Sequence, residues 1–376
     1  MIRFVSNLPA DLRSGGFSAM NAAAFAALSE RWPVRYAGPI DPPALLWQKG
    51  LSKALRVAGL GGDFSAYSRR RLRNIAAGAA TRDWPEAGID FFHGFTPWVA
   101  LRPSRPYVAW SDCTFHDYMD IFHDRSEFRR ADLRRVETME AAWLAGASRV
   151  LFTSRWAAER AIGQYGLDPA RVRSVGIFGE IEPPDVDRYE GGQRFAFVST
   201  NFAAKRGPLV LEAFRRLRAS HPSAQLTIVG AAPPDLSAEQ GVHYAGYLRK
   251  EDPEENGRLR QILASSVAVA HPTRGDIAPL IIVEAACFGC PAISSRAFAI
   301  PEIVENEVSG LLLDRPADAD QVAGAMRWML ENPAAYASMR AAAWRVARER
   351  LSKAAFVARL QGEVAEVLDK PGAQAA

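Results

Sequence analysis

Short runs rich in β-branched and aromatic residues alternate with segments whose apolar positions recur every three or four residues. That alternation predicts parallel strands covered by helices. In the first half, strands are expected at Ile2–Ser6, Val34–Ala37, Ile89–Phe92, Tyr107–Trp110 and Val150–Thr153. Phe17, Met20, Ala24, Phe25 and Leu28 share one helical face behind a loop carrying Gly15 and Gly16. Ser154 stands where it can cap a helix starting near Trp156. A stretch rich in proline, glycine and charge, 182–193, reads as a linker. Beyond it, strands at Phe195–Ser199, Gln225–Val229, Val267–Ala270 and Ala292–Ser294 are expected to alternate with helices over Leu209–Ala219, Arg258–Ala264 and Leu280–Cys287. From Ala317 to Leu368 nearly everything reads as helix, broken at Asn332-Pro333 and restarted at Ser352.

The predicted architecture is α/β: two Rossmann-like doubly wound domains, over 1–183 and 184–350, with a helical tail over 351–376 able to pack back on the first. A chain of 376 residues suits two domains of roughly 150 each. A crevice between them is the default ligand site.

Composition narrows the classes. A hydrophobic fraction of 48% with 23% charged residues excludes a disordered or fibrous chain. The net charge of +4 is too small to argue for nucleic acid. Cys113, Cys287 and Cys290 cannot build a disulfide framework, which favours a reduced, cytoplasmic setting. The first residues lack a signal peptide's basic start and apolar core. The longest apolar stretch, Ile277 to Ile293, contains two prolines and Glu284, so no membrane span is expected.

Some patterns read either way. Cys287-Phe-Gly-Cys290 has redox or metal spacing, but no second pair exists and Gly289 reads as a helix stop. His116, Asp117, Asp120, His123 and Asp124 could hold a metal. Their neighbours Phe115, Tyr118, Met119 and Phe122 equally suggest an ordinary buried face. A basic amphipathic stretch over 47–73, with Lys49, Lys53, Arg56, Arg69 to Arg71 and Arg73, fits either a solvated helix or peripheral contact with anionic lipid.

Two windows carry the chemistry. In the first, a strand ends at His271, a loop carries Arg274 and Asp276, and Pro279 stands at a plausible first helical position. Glu284 then sits among Leu280, Ile281, Ile282, Val283, Ala285 and Ala286. A carboxylate there faces desolvation unless it finds donors. It is either a structural glutamate favoured by the helix dipole or a ligand group whose two oxygens match a vicinal diol such as ribose. Free N–H groups at Leu280 and Ile281 suit a phosphate. In the second window, strand Phe195–Ser199 leads to Lys205, Arg206 and Gly207. Only six of the 46 basic residues are lysine, and a cation there can reach a diphosphate at a sheet's switch point.

Together these windows resemble the retaining family-4 glycosyltransferases (glycosyl transferases group 1) of the GT-B fold. Asp276 and Glu284 match that family's acidic-x7-Glu spacing. Gly289-Cys-Pro291, Ile300 to Val304, Ser309 to Leu312, Gly246-Tyr-Leu248, Ser154 to Trp156 and the Gly15-Gly16 loop match further motifs. The resemblance implies that Glu284 binds the ribose of a nucleotide-diphosphate sugar, Asp276 the transferred sugar, and Lys205 the diphosphate. It implies that Gly246, Tyr247 and Leu248 meet the base, and that Gly15 and Gly16 let the first loop approach donor and acceptor. The implied reaction retains configuration by same-face attack on behalf of a glycan or lipid-linked acceptor, as in polysaccharide biosynthesis, with no metal and no further cofactor. Three departures stand out. Asp276 replaces the family's usual glutamate, Ile277-Ala-Pro279 replaces Gly-Phe-Gly, and Thr200 stands where the phosphate arginine belongs. Arg206 or Arg274 could supply that charge, and Asp112 takes the place of the first-domain histidine. A sugar-nucleotide isomerase or hydrolase of this fold, or a catalytically silent nucleotide-binding scaffold, remains an alternative. The segment Ser14-Gly-Gly-Phe-Ser18 is not the turn of a dinucleotide oxidoreductase.

Overall fold

The computed structural model describes residues 1–11, 16–187, 189–233, 235–237, 239–314 and 316–369. The chain divides into two compact units, Met1–Gly176 together with the chain from Val357 onward, and Ile177–Phe356. The residues 177–183, expected with the first domain, belong to the second unit. Ile181 lies in its core and Phe178 stacks on Phe356 with ring centroids 4.6 Å apart.

In the first unit, β1 (Ile2–Val5), α1 (Gly16–Ser29), β2 (Val34–Ala37), α2 (Leu46–Val57), α3 (Arg69–Ala80), β3 (Ile89–His93), β4 (Tyr107–Ser111), α4 (Phe115–Phe122), α5 (Arg130–Ala145), β5 (Arg149–Phe152), α6 (Arg155–Tyr165) and β6 (Val172–Ser174) follow in order. All six strands are parallel, in the order β2-β1-β3-β4-β5-β6. Strands β1, β3, β4 and β5 are buried along their length and are mostly apolar, with the buried Arg3 of β1 paired to Asp90 of β3 at 2.6 Å. The Ser154 hydroxyl accepts the Ala157 N–H at 3.2 Å and caps α6, as its position in the sequence predicts.

In the second unit, β7 (Arg194–Ser199), α7 (Gly207–Ser220), β8 (Gln225–Gly230), β9 (Val242–Tyr244), α8 (Pro253–Ala264), β10 (Ala268–His271), α9 (Leu280–Ala286), β11 (Ala292–Ser295), α10 (Ile300–Ile303), β12 (Gly310–Leu313), α11 (Ala319–Glu331) and α12 (Pro333–Glu349) build a second parallel sheet, ordered β12-β11-β10-β7-β8-β9. Its two faces carry separate cores. Phe195, Phe197 and Ile228 pack with Phe214 of α7 and Met326 of α11 on one. Ala196 and Val269 pack with Leu263 of α8, Ala285 of α9 and Ala343 of α12 on the other. Helices on both faces make the sheet doubly wound. An Asp318–Gln321 capping box starts α11, and Gly289 takes a left-handed φ of +63° just past α9.

The last helix, α13 (Lys353–Leu368), carries the chain back into the first unit. There Gln361 Nε2 donates to the Ala27 carbonyl at 2.7 Å, and Arg149 Nε meets Glu363 at 2.9 Å. Leu360, Val364 and Val367 are fully buried. Burial of that kind contributes about 1.5–3 kcal/mol per side chain.

Candidate active site

In the second sheet β7 and β10 are neighbours, and the strand order runs outward from them in opposite directions. The crossovers leaving these two strands therefore diverge, and a crevice opens at their carboxyl ends. Two loops meet there. The one after β7 supplies Lys205, whose Nζ lies 2.6 Å from Asp276 Oδ1 and 2.7 Å from the Gly275 carbonyl. The one after β10 supplies Asp276, whose Oδ2 accepts from Thr273 Oγ1 at 2.8 Å and lies 2.9 Å from His271 Nε2. Burial raises the Asp276 carboxyl, but the His271 hydrogen bond and charge, then Lys205, outweigh it and hold the group below the ordinary carboxylate range. The aspartate is ionised and already engaged by three side-chain donors.

Thr200 is exposed at the start of the β7 loop and carries no charge. Arg206, at the N-cap of α7, adopts a left-handed φ of +65°. It shares a cavity of about 230 Å³ with Arg274, Thr273, Ser295, Pro316 and Ala317, next to the Lys205 loop.

Glu284 follows in α9 and its side chain is 0% exposed. Lys250 Nζ bonds Oε1, while Oε2 is buried with no hydrogen-bond partner among the described residues. Such an orphan is unfavourable by about 1–3 kcal/mol and invites a donor. Gly179 makes the tight fit possible: a Cβ there would stand 3.2 Å from Glu284 Cγ and 3.3 Å from Val283 Cγ1. Lys250 comes from the loop after β9, in which Gly246 has a φ of +81°. There Tyr247 is exposed and Leu248 buried. Leu280 and Ile281 open α9 and are half-buried. Pro279 is the N-cap rather than the first helical residue, its carbonyl accepting the Ile282 N–H at 3.1 Å.

In the first unit the strand order reverses between β1 and β3, and β3 ends at His93. This imidazole is fully buried between Phe17 and Trp110, with ring centroids 4.2 and 5.3 Å away. Neither ring nitrogen has a partner among the described residues, and burial pushes its pKa down to about 3. Asp112 follows β4, its Oδ1 accepting from Ser111 Oγ at 3.3 Å, and burial raises its carboxyl. Gly15 lies outside the described residues, and Gly16 opens α1.

The candidate metal cluster does not converge. Asp117 accepts from Arg160 Nε at 2.6 Å and Gln164 Nε2 at 2.8 Å, His116 turns to Glu137 at 3.0 Å, and His123 packs on Phe64. Among the described residues no group of three such side chains could hold a metal ion. Cys287 and Cys290 are buried free thiols raised by desolvation.

The stretch over 47–73 presents a different surface. In α2 Ser52 is buried and Leu55 half-buried, whereas Leu46 and Val57 are more than four-fifths exposed and Trp47 and Leu51 more than half. At about 100° per residue, the exposed Leu46, Val57, Ala54, Trp47, Ala58 and Leu51 cover an uncharged arc of roughly 140°. Lys49, Lys53 and Arg56 lie elsewhere on the helix, which carries no acid. Among the described residues no helix is long and apolar enough to cross a membrane.

Sequence reasoning missed His93 and Lys250. Ending β3 at Phe92 passed over a histidine placed directly before Gly94, and that placement was the available signal. Lys250 lies 34 residues before Glu284, and only its rarity as a lysine marked it.

Residues 192–332 match the family model described as Glycosyl transferases group 1. Over 230 residues the chain is 28% identical to D-inositol 3-phosphate glycosyltransferase 1 of Catenulispora acidiphila, covering 54% of each. The chain thus spans about half the length of the curated relatives it matches. A structure of Anabaena Alr3699/HepE in complex with UDP-glucose superposes with a TM-score of 0.64 at 16% identity, over 97% of this chain and 100% of that one. WaaG, a glycosyltransferase involved in lipopolysaccharide biosynthesis, superposes with a TM-score of 0.67 at 13% identity, over 98% and 100%. The fold class read from the sequence, α/β of the GT-B type with a helical C-terminal tail, is the one observed.

Proposed function

We propose, on the premise that residues 192–332 form a glycosyl transferases group 1 domain of a GT-B chain, that this protein moves a hexosyl group from a nucleotide-diphosphate sugar to a glycan or lipid-linked acceptor. The observation that carries this reading is the buried Oε2 of Glu284, which has no hydrogen-bond partner among the described residues, in the same sheet unit as the switch-point pair Lys205–Asp276. A pentose hydroxyl supplies the donor that oxygen lacks. Lys205 meets the diphosphate, with Arg206 next to it in the chain and Arg274 lining the same cavity as Arg206, to add charge where Thr200 has none. Gly246, Tyr247 and Leu248 meet the base, and Leu280 and Ile281 offer backbone N–H groups. For the first unit, we assign Asp112, Gly15 and Gly16 a role toward the acceptor.

The transfer retains configuration. The acceptor oxygen bonds to the anomeric carbon on the face from which the diphosphate departs. The C–O bond to phosphate breaks, its electron pair leaves with the diphosphate, and a phosphate oxygen takes the acceptor's proton. No protein nucleophile takes part. Lys205 stabilises the charge that develops on the leaving group. The outward apolar arc of α2 and its cations support a peripheral, cytoplasmic-face contact with anionic membrane through 47–73.

A thermal-shift panel of UDP-, GDP- and ADP-sugars tests the donor reading, since a ligand bound to the folded state raises the melting temperature. One of the three is expected to give a shift that Glu284→Ala abolishes while the variant still melts cooperatively. No shift from any of them, or an equal shift in the variant, overturns the ribose assignment.

A further inference from the structure

We propose that His271 is a positioning residue that fixes where the Lys205 ammonium stands, acting through Asp276. The inference rests on the reading above that Lys205 meets a diphosphate.

Lysine is a point charge on a flexible four-carbon stem, so its place is set by its partner. Its partners are the Gly275 carbonyl at 2.7 Å and, as the charged one, Asp276 Oδ1 at 2.6 Å, and the orientation of that carboxylate is set by what holds Oδ2. Two groups do so, Thr273 Oγ1 at 2.8 Å and His271 Nε2 at 2.9 Å. They are not equivalent. Thr273 sits in the loop, where its hydroxyl also accepts the Gly275 N–H and its carbonyl accepts from Ser295 Oγ of β11 at 2.8 Å. His271 is the last residue of β10, the strand beside β7 at the switch point, and its side chain is 4% exposed. Its carbonyl accepts from Ser294 Oγ and the Thr273 N–H, both at 2.8 Å, which ties it to β11 and to the root of the loop. Both groups are tied to β11, but His271 alone of the two is itself a strand residue, and its ring holds the carboxylate directly from the sheet.

Its other nitrogen argues the same way. Nδ1 is buried with no partner among the described residues. A side chain kept only to fill this space would be apolar, and an imidazole introduces an unsatisfied polar atom. The bond from Nε2 to Asp276 is what the imidazole adds. Through it the ammonium is aimed before any anion arrives, a pre-organisation that a four-carbon stem cannot supply alone.

The test compares affinities for a nucleoside diphosphate and its parent nucleoside, using whichever of the UDP/uridine, GDP/guanosine and ADP/adenosine pairs binds. His271→Leu is expected to lower the diphosphate-to-nucleoside affinity ratio about tenfold. His271→Gln, whose amide N–H reaches the place of Nε2, should restore most of it. In a Lys205→Ala background His271→Leu should change the ratio no further, because its effect passes through the lysine. Should His271→Leu fail to melt cooperatively, His271→Met gives the same reading. Equal loss for both ligands, or a full additional loss in Lys205→Ala, would overturn the proposal and leave His271 a merely structural residue. If Lys205→Ala leaves the ratio unchanged, the phosphate role of Lys205 itself fails. If Lys205→Ala lowers the ratio and His271→Leu does not, only the positioning role fails.

Discussion

Lys250 closes over Glu284: its ammonium holds Oε1 of a fully buried carboxylate whose Oε2 meets no donor among the described residues. With the Lys205–Asp276 pair, both acids of the Asp-x7-Glu spacing are bound to lysines, and the chain has only six. Lys250→Met would leave a buried charge with no counter-ion. The lysine is one-third exposed, so the loss is expected at about 1–3 kcal/mol rather than the larger figure for a fully buried pair. Adding Glu284→Gln should recover most of it. A chemical-denaturation series on the two variants measures this, and a full-size loss that persists in the double variant would deny the pairing.

Gly179 is the second lever on Glu284. Gly179→Ala places a methyl against Glu284 Cγ and Val283 Cγ1 at 3.2 and 3.3 Å, and overpacking of this sort costs about 1–3 kcal/mol. Nucleoside affinity should fall with it, because the carboxylate is displaced. Calorimetry detecting unchanged affinity would separate Gly179 from the site.

The charge that balances the diphosphate comes from side chains in this reading. The melting shift given by a nucleoside diphosphate should therefore be the same with and without excess EDTA. A shift lost on chelation and restored by magnesium would transfer that role to a metal.

Acid stability separates two buried groups. His93, held at about 3 in the folded state, titrates near 6.5 when unfolded, so unfolding takes up a proton in that window and stability falls as pH drops. Glu140 has the opposite sign. Burial, opposed by bonds from Thr96, Phe115 and Tyr165, raises it to about 7 from 4.5, so stability rises as pH drops between those values. The two oppose each other where the windows overlap. The difference in unfolding free energy between His93→Phe and the unaltered chain isolates the histidine. It should shift in favour of the variant by up to about 1.4 kcal/mol per pH unit below 6.5. A difference that stays flat from pH 7 to 4 would mean that His93 titrates normally.

Binding to phosphatidylglycerol vesicles should follow the outward face of α2. A Leu46→Ser, Trp47→Ser, Leu51→Ser variant is expected to lose most of the sedimenting fraction without a change in melting temperature, since these side chains are exposed. Undiminished sedimentation would place the contact elsewhere, and a loss of self-association instead would make the face a dimer contact.

How much of this was legible from the sequence follows from burial. Strands β1, β3, β4 and β10 are covered on both faces, so their apolar runs announced them to within a residue or two. The three-residue edge strands β6 and β9 are half exposed and carry no such run, and α3 opens with three arginines. Lys205, Asp276 and Glu284 were legible because each lies in or just after the loop that ends a strong strand. The Lys205–Asp276 and Lys250–Glu284 bonds were not, because they link residues 71 and 34 positions apart in sequence. On α2, Leu55 is half-buried while Trp47 and Leu51 stay in solvent, a difference that helical spacing alone does not reveal.

The return of α13 to the unit where the chain began has a consequence during synthesis. Ribosomal output runs from the amino end, so the sheet of β7 to β12 is complete before the helix carrying Leu360 and Val364 emerges. Until then Ala27 and Arg149 lack the partners that α13 brings. The half of the polypeptide made first is thus the half finished last, and a nascent chain stalled short of residue 357 would hold a completed second unit tethered to a first one that still lacks α13.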